Sequence, residues 1–333
     1  MSESRESTAH LPRRDLVQKI TPGLILGFLV LIGLALLGDL KQVGSALIHF
    51  NWRVFPLAIL LTLFNYTLRF FKWHFYLRQI GIHTLTLRTS LRLFVAGFPL
   101  AMTPGKVGEV LKGVWLKQKC GLPVARGVSV VVAERISDGL AVLALSSLGV
   151  IAYPQYWPAF AVILALLLGI IIVSQIRPAA LWALAQAEKI HFLRKAVEQL
   201  REFYEGSFTL FKPWATLVAV FLGTVSWFGE GVGFFIILTG LGLEPTPALL
   251  GQAVFILAFS TAVGAVSTLP GGLGASEASI AGMLALLVGV TPAVATSATV
   301  LIRLATLWFG MLLGFITWTF SADLLGMKED HRA

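Results

Sequence analysis

Apolar segments long enough to cross a bilayer recur along the whole chain, and they decide most of what it can fold into. A helix rises about 1.5 Å per residue, so it needs about 20 mostly apolar residues to cross a hydrocarbon core of roughly 30 Å. Six stretches reach or approach that length: 22–40, 54–71, 124–152, 157–176, 214–241 and 292–320. Charged residues make up only 13% of the 333, against roughly 25% in soluble domains, and the mean hydropathy is +0.82. So little polar surface cannot coat a water-soluble chain of this length. The sequence predicts an all-α polytopic membrane protein.

Two further apolar regions are broken in the middle. Residues 87–102 lead into Thr103-Pro104-Gly105-Lys106-Val107-Gly108 and return as 109–120. Residues 248–269 lead into Pro270-Gly271-Gly272-Leu273-Gly274 and return as 275–290. Each reads as a helical hairpin, crossing fully or re-entering, with Pro104, Gly105, Gly108, Pro270, Gly271 and Gly274 at the breaks. Non-helical backbone at membrane depth is tolerated only where it is buried in protein or lines a polar cavity, so the breaks themselves predict a cavity.

Basic residues collect at the ends of apolar runs, so the net charge of +9 points to bilayer orientation and anionic headgroups rather than to nucleic acid. Arg5, Arg13, Arg14 and Lys19 precede the first span; Arg69, Lys72, Arg78, Arg88 and Arg92 follow the second; Arg177, Lys189, Arg194, Lys195, Arg201 and Lys212 follow the fourth. The intervening loops are poor in Lys and Arg. This bias predicts a multi-pass protein of the cell membrane with both termini cytoplasmic. No small-x-small cleavage site follows the first span, which reads as uncleaved. The expected organisation is a tail over 1–20, one membrane domain over 21–323 and a tail over 324–333. Within the domain, halves 52–152 and 213–320 flank a cytoplasmic link, 178–212. Leu193, Val197, Leu200 and Tyr204 share one helical face of that link, so it reads as an amphipathic helix on the membrane surface or a plain linker.

The two broken regions correspond. Glu109, Gly121 and Arg135 recur as Glu277, Gly289 and Arg303, each pair offset by 168 residues. The break motifs align with two extra residues in the second. Because one hairpin enters from the cytoplasm and the other from outside, the halves read as an inverted-topology repeat, an arrangement known among transporters with a site at the repeat interface.

An ionisable residue at bilayer depth costs about 2.5–3.5 kcal/mol on insertion scales and needs a partner or a purpose. Those within the apolar regions are Lys106, Glu109, Lys112, Glu134, Arg135, Asp138, Glu230, Glu277 and Arg303. Together they make a candidate substrate site for an anionic group, with Lys106, Arg135 and Arg303 suited to a lipid phosphate. The structural alternative pairs Glu109 with Arg135 and Glu277 with Arg303 to lock each hairpin to its long helix. Lys106 has no counterpart in the second half, where Gly272 takes its place, which favours a role toward ligand. Gly310 and Gly314 give a packing signal. The lone Cys120 forms no internal disulfide. No catalytic constellation, metal site or cofactor motif is present in the sequence.

The run TPGKVGEVLKGVWLKQKCGLPVARGVSVVVAERISDGLAVL and its counterpart LPGGLGASEASIAGMLALLVGVTPAVATSATVLIRLATLWFGMLLG resemble the two signatures of the lysylphosphatidylglycerol synthase transmembrane (flippase) domain family. The resemblance runs from the first span to Phe320. It implies a lipid-translocating module, which in the namesake proteins moves aminoacylated phosphatidylglycerol between leaflets. The soluble aminoacyl-transferase domain of those proteins has no counterpart here, so synthase activity is not expected. Some relatives are linked to polyprenyl-linked sugar pathways. The expected partners are therefore membrane lipids, either an anionic phospholipid or a polyprenyl-phosphate lipid, with a biosynthetic enzyme or a second copy of the chain left open. The alternative to translocation is a membrane enzyme or accessory subunit modifying a polyprenyl-phosphate sugar or a phospholipid.

Overall fold

A computed structural model describes residues 13–37, 39–152, 157–190 and 194–321. Among the described residues every regular element is helical. The fourteen α-helices are α1 (Arg13–Leu37), α2 (Leu40–His49), α3 (Phe55–Gln79), α4 (Leu87–Ala96), α5 (Leu111–Cys120), α6 (Val124–Ala152), α7 (Trp157–Gln175), α8 (Arg177–Glu188), α9 (Arg194–Leu210), α10 (Pro213–Gly240), α11 (Pro247–Val266), α12 (Ala275–Met283), α13 (Pro292–Arg303) and α14 (Phe309–Thr319). A π-helical segment, Leu304–Trp308, joins α13 to α14, so 292–319 runs on as one span.

Among the described residues, five helical stretches are long and apolar enough to cross a membrane: Trp52–Gln79, Pro213–Gly240, Pro247–Val266, Pro270–Val288 and Pro292–Thr319. The pair α7–α8, bent by 74°, makes a sixth if it counts as one span. The 29-residue α6 has the length, but it carries Arg126, Glu134, Arg135 and Asp138. Large apolar side chains face outward, among them Phe28, Val162, Leu166, Leu217 and Phe221, each more than 60% exposed. In water that surface would drive aggregation; in lipid it is the solvated face.

The sequence places its breaks correctly, but the depths of the two hairpins differ. The first has short arms. Helix α4 stops at Ala96, two 3₁₀ segments (Phe98–Met102 and Pro104–Val110) carry the chain through its turn, and α5 starts only at Leu111. Ten-residue helices rise about 15 Å, half of what a crossing needs. In the second hairpin, α11 and the stretch from Pro270 to Val288 are each long enough to cross.

Local chemistry explains where elements start and stop. Thr86, Thr246 and Thr291 accept hydrogen bonds from the backbone N–H groups of Thr89, Leu249 and Val294, capping α4, α11 and α13; such caps are worth about 1 kcal/mol each. Gly121 and Gly289, the matched glycines, both adopt left-handed backbone (φ 68° and 74°) where the return arms end. That conformation costs other residues about 1–2 kcal/mol.

Two boundaries differ from the sequence reading. Helix α1 is already helical at Arg13, inside the expected tail 1–20. Helix α3 runs past Phe71 to Gln79, so Arg69 and Lys72, grouped above with the basic residues that follow the second span, lie inside the bundle. The link 178–212 is more than a tether, because α9 docks on α6. Val197 is buried, Arg126 pairs with Glu202 at 2.8 Å, and a Cβ on Gly206 would sit 2.2 Å from the Ser129 hydroxyl. Leu200, on the predicted apolar face, is exposed, and Leu193 lies outside the described residues, as do the tail 324–333 and residues 1–12.

Candidate functional site

The tips of the two hairpins touch. The Gly105 N–H donates to the Thr268 carbonyl at 3.0 Å, and a Cβ on Gly271 would meet the Met102 sulfur at 2.6 Å. Gly105, Gly271, Gly272 and Gly274 all have positive φ, between 59° and 84°, so the tight tips depend on glycine. Gly108 donates its N–H to the Thr103 hydroxyl at 2.8 Å. Pro104 and Pro270 each open a 3₁₀ segment. Gly274 precedes α12 and donates to the Glu277 carboxylate at 2.7 Å.

Beside these tips lies a cavity of about 460 Å³. Its wall includes members of both large apolar cores: Phe94 and Met311 from one, Leu257 and Ile280 from the other. Of the nine charged candidates, Glu109, Lys112, Arg135, Asp138, Glu230 and Arg303 line it. Glu134 and Glu277 are buried, and each pairs with a lining cation. The Lys106 side chain lies outside the described residues.

The expected pairings are present. Arg135 faces Glu109 at 3.3 Å and Arg303 faces Glu277 at 2.5 Å. Both arginines use Nε for this, which leaves the terminal nitrogens for other partners. Arg303 donates one of them to the Gly271 carbonyl at 2.9 Å, tying the span to the second tip. The terminal nitrogens of Arg135 have no hydrogen-bond partner among the described residues, and its side chain is 35% exposed, toward the cavity. The structural and the ligand readings of these arginines are therefore compatible: one edge of the guanidinium is held and, in Arg135, the fork is presented.

Three groups escaped the sequence reading. Lys72 has no exposed surface and donates to Asp138 in a close ion pair. Arg69 shares Asp138 at 3.4 Å and stacks over Trp227 at 5.5 Å. Tyr66 donates to the Thr306 carbonyl at 2.8 Å. A signal was available: Asn65, Arg69, Lys72 and Tyr76 follow the i, i+4, i+7, i+11 spacing of one helical face, which an open loop has no reason to keep.

Lys112 shows how a cation is held at this depth. It meets Glu134 at 3.4 Å and lies over the rings of Trp73 and Phe94, at 5.0 and 5.6 Å. It passes beside Gly97, where a Cβ would collide with its Cε at 2.2 Å. Glu230 is the exception. It is 7% exposed, lines the cavity from the middle of α10, and has no ion pair or hydrogen bond among the described residues.

The chain is similar to membrane proteins across its length. A UPF0104 membrane protein of Pyrococcus horikoshii is 24% identical over 88% of this chain and 94% of its own. One from Methanothermobacter thermautotrophicus is also 24% identical, over 87% and 90%. One from Methanocaldococcus jannaschii is 27% identical over 53% and 74%. No solved structure gives a significant match. The profile described as Lysylphosphatidylglycerol synthase TM region matches residues 24–314, which contain both hairpins and every lining residue of the cavity, and the chain therefore belongs to that membrane family.

Proposed function

We propose that the chain moves a phosphate-bearing lipid, an anionic phospholipid or a polyprenyl-linked one, between the leaflets of the cell membrane, with both termini cytoplasmic. The observation that carries the proposal is the guanidinium fork of Arg135, whose terminal nitrogens have no hydrogen-bond partner among the described residues, in the same cavity as Arg303. A planar fork matches phosphate oxygens in two parallel hydrogen bonds. Apolar residues such as Val142, Leu167 and Leu257 form much of the remaining wall, a surface compatible with acyl or prenyl chains.

The matched order in the two halves adds to it. Each has a Gly-kinked tip, a Glu paired to an Arg, and a left-handed Gly between them. If an inverting axis relates the halves, the two arginines face opposite leaflets in turn, and a headgroup passes from one to the other across the touching tips.

The test is leaflet exchange. The full chain is placed in phosphatidylcholine liposomes doped with fluorescent phosphatidylglycerol, and loss of fluorescence to an outside quencher is followed. Wild type should quench the inner-leaflet pool, and the double variant Arg135→Gln/Arg303→Gln should slow that phase about 10- to 100-fold, since a hydrogen bond to a charged group is worth roughly 1.5–3 kcal/mol. Wild-type rates equal to protein-free liposomes, for phosphatidylglycerol and for a polyprenyl phosphate alike, would reject it.

A further inference from the structure

Among the described residues, every buried carboxylate at the cavity but one has a cation at ion-pair distance. Glu109 has Arg135, Glu134 has Lys112, Asp138 has Lys72 and Arg69, and Glu277 has Arg303. Glu230 has neither a cation within ion-pair distance nor a hydrogen-bond donor among the described residues, although it is 93% buried and lines the wall. An ionised carboxylate in that position carries a desolvation penalty that no cation at contact distance offsets, and a neutral carboxylic acid does not. Because Glu230 faces the cavity rather than sealed protein, a proton can reach it.

The other charged and titratable groups of the wall are Tyr66 and Arg69 on α3, Glu109 and Lys112 around the first tip, Arg135 and Asp138 on α6, and Arg303 on α13. Helix α11 brings none. The cavity therefore offers cations to an arriving anion, and among the described residues Glu230 is the lining carboxylate without a cation at ion-pair distance, Arg69 and Arg303 acting on it from farther off.

We propose that Glu230 takes up one proton when a phosphate group enters the cavity and gives it back when the phosphate leaves, so that anion and proton move together. The chemistry is an exchange of one proton only. Glu230 goes from carboxylate to carboxylic acid, with the proton drawn from water in the open cavity, and returns it to water on the far side. Ionised Glu230 repels the phosphate; the protonated acid does not, and it can donate a hydrogen bond to a phosphate oxygen. By linkage, whatever a bound anion adds to proton affinity, a bound proton adds to anion affinity. The proposal rests on the lipid-translocation reading for its cargo, but not for the proton site.

Two measurements separate them. In the liposome assay with fluorescent phosphatidylglycerol, an imposed pH gradient should accelerate wild-type exchange in one direction only. Glu230→Gln, which keeps the shape and cannot titrate, should lose the response to the gradient, whatever its own basal exchange rate. A gradient response in Glu230→Gln equal to wild type, or none in wild type, overturns the proton link and leaves translocation standing. In detergent, adding short-chain phosphatidylglycerol to the full chain should produce an infrared carboxylic-acid carbonyl band that Glu230→Gln lacks. Apparent affinity should strengthen as pH falls, approaching about tenfold per pH unit, the limit for one proton. No such band, or the same band in Glu230→Gln, overturns the proposal whatever the liposomes do. The band without lipid exchange refutes translocation and supports a proton-linked anion site.

Discussion

At the scale of single residues, the bundle places its charges in pairs whose members come from different elements, so each pair fixes a contact. Glu277 holds Arg303 with one carboxylate oxygen and the Gly274 N–H with the other. Glu277→Ala strands a guanidinium whose side chain is only 13% exposed, and a stranded buried charge costs about 3–5 kcal/mol. Thermal unfolding in detergent should show a clearly lowered midpoint, whereas Glu277→Leu combined with Arg303→Met should cost less than Glu277→Ala alone. Glu109→Ala should cost less, because Arg135 opens on the cavity. The fixed offset between the halves made both of these pairs legible in the sequence. The Lys72–Asp138 pair was not legible. Hydropathy ends the second span where charges begin, and Arg69 and Lys72 look like a cytoplasmic end until the neighbouring carboxylate on α6 is seen. The asymmetric lysine of the first break, Lys106, keeps its standing as a candidate from sequence alone.

Between elements, glycine sets the approach distances. A Cβ on Gly127 would sit 2.7 Å from the Gly113 Cα, and one on Gly113 would meet the Val124 carbonyl oxygen at 2.8 Å. Helices α5 and α6 thus cross with their backbones nearly in contact, and this crossing sets Lys112 opposite Glu134. Gly127→Val should force the helices apart, with a loss of about 1–3 kcal/mol typical of overpacking and a lowered unfolding midpoint. Gly282→Ala, at a helical position with open space around the added Cβ, should be close to neutral. Gly310 and Gly314 pack inside the chain, against Tyr66 and Pro99. The sequence marked the positions of both breaks, because Pro-Gly cannot continue a helix. It did not mark the depth of the first hairpin: residues 97–102 stay apolar enough to read as helix while the backbone there runs through a 3₁₀ turn. Nor did amphipathicity in α9 reveal its target, since a face such as Val197 and Tyr204 suits a membrane surface and the flank of α6 equally well.

For the molecule as a whole, the six spans of the sequence reading form an even number, and a hairpin adds no net crossing. On that reading both ends are expected on one side, and we propose from the Lys and Arg distribution that this side is the cytoplasm. With Arg69 and Lys72 moved into the bundle, the bias still has Arg78, Arg88 and Arg92 after the second span and the cluster around α8 and α9. Reporter fusions at Met1 and Ala333 active only in the cytoplasm, and a tag at Gly242 reached only from outside, are the expected result. The claim that organises all of these observations is that one cavity, beside two touching hairpin tips, holds a lipid by its phosphate. Native mass spectrometry of the full chain, extracted gently and offered phosphatidylglycerol and diacylglycerol together, tests it most directly. The account predicts that wild type retains the phosphate-bearing lipid over diacylglycerol, and that Arg135→Gln/Arg303→Gln loses that preference. Equal retention of both lipids by wild type, or an undiminished preference in the double variant, would contradict it.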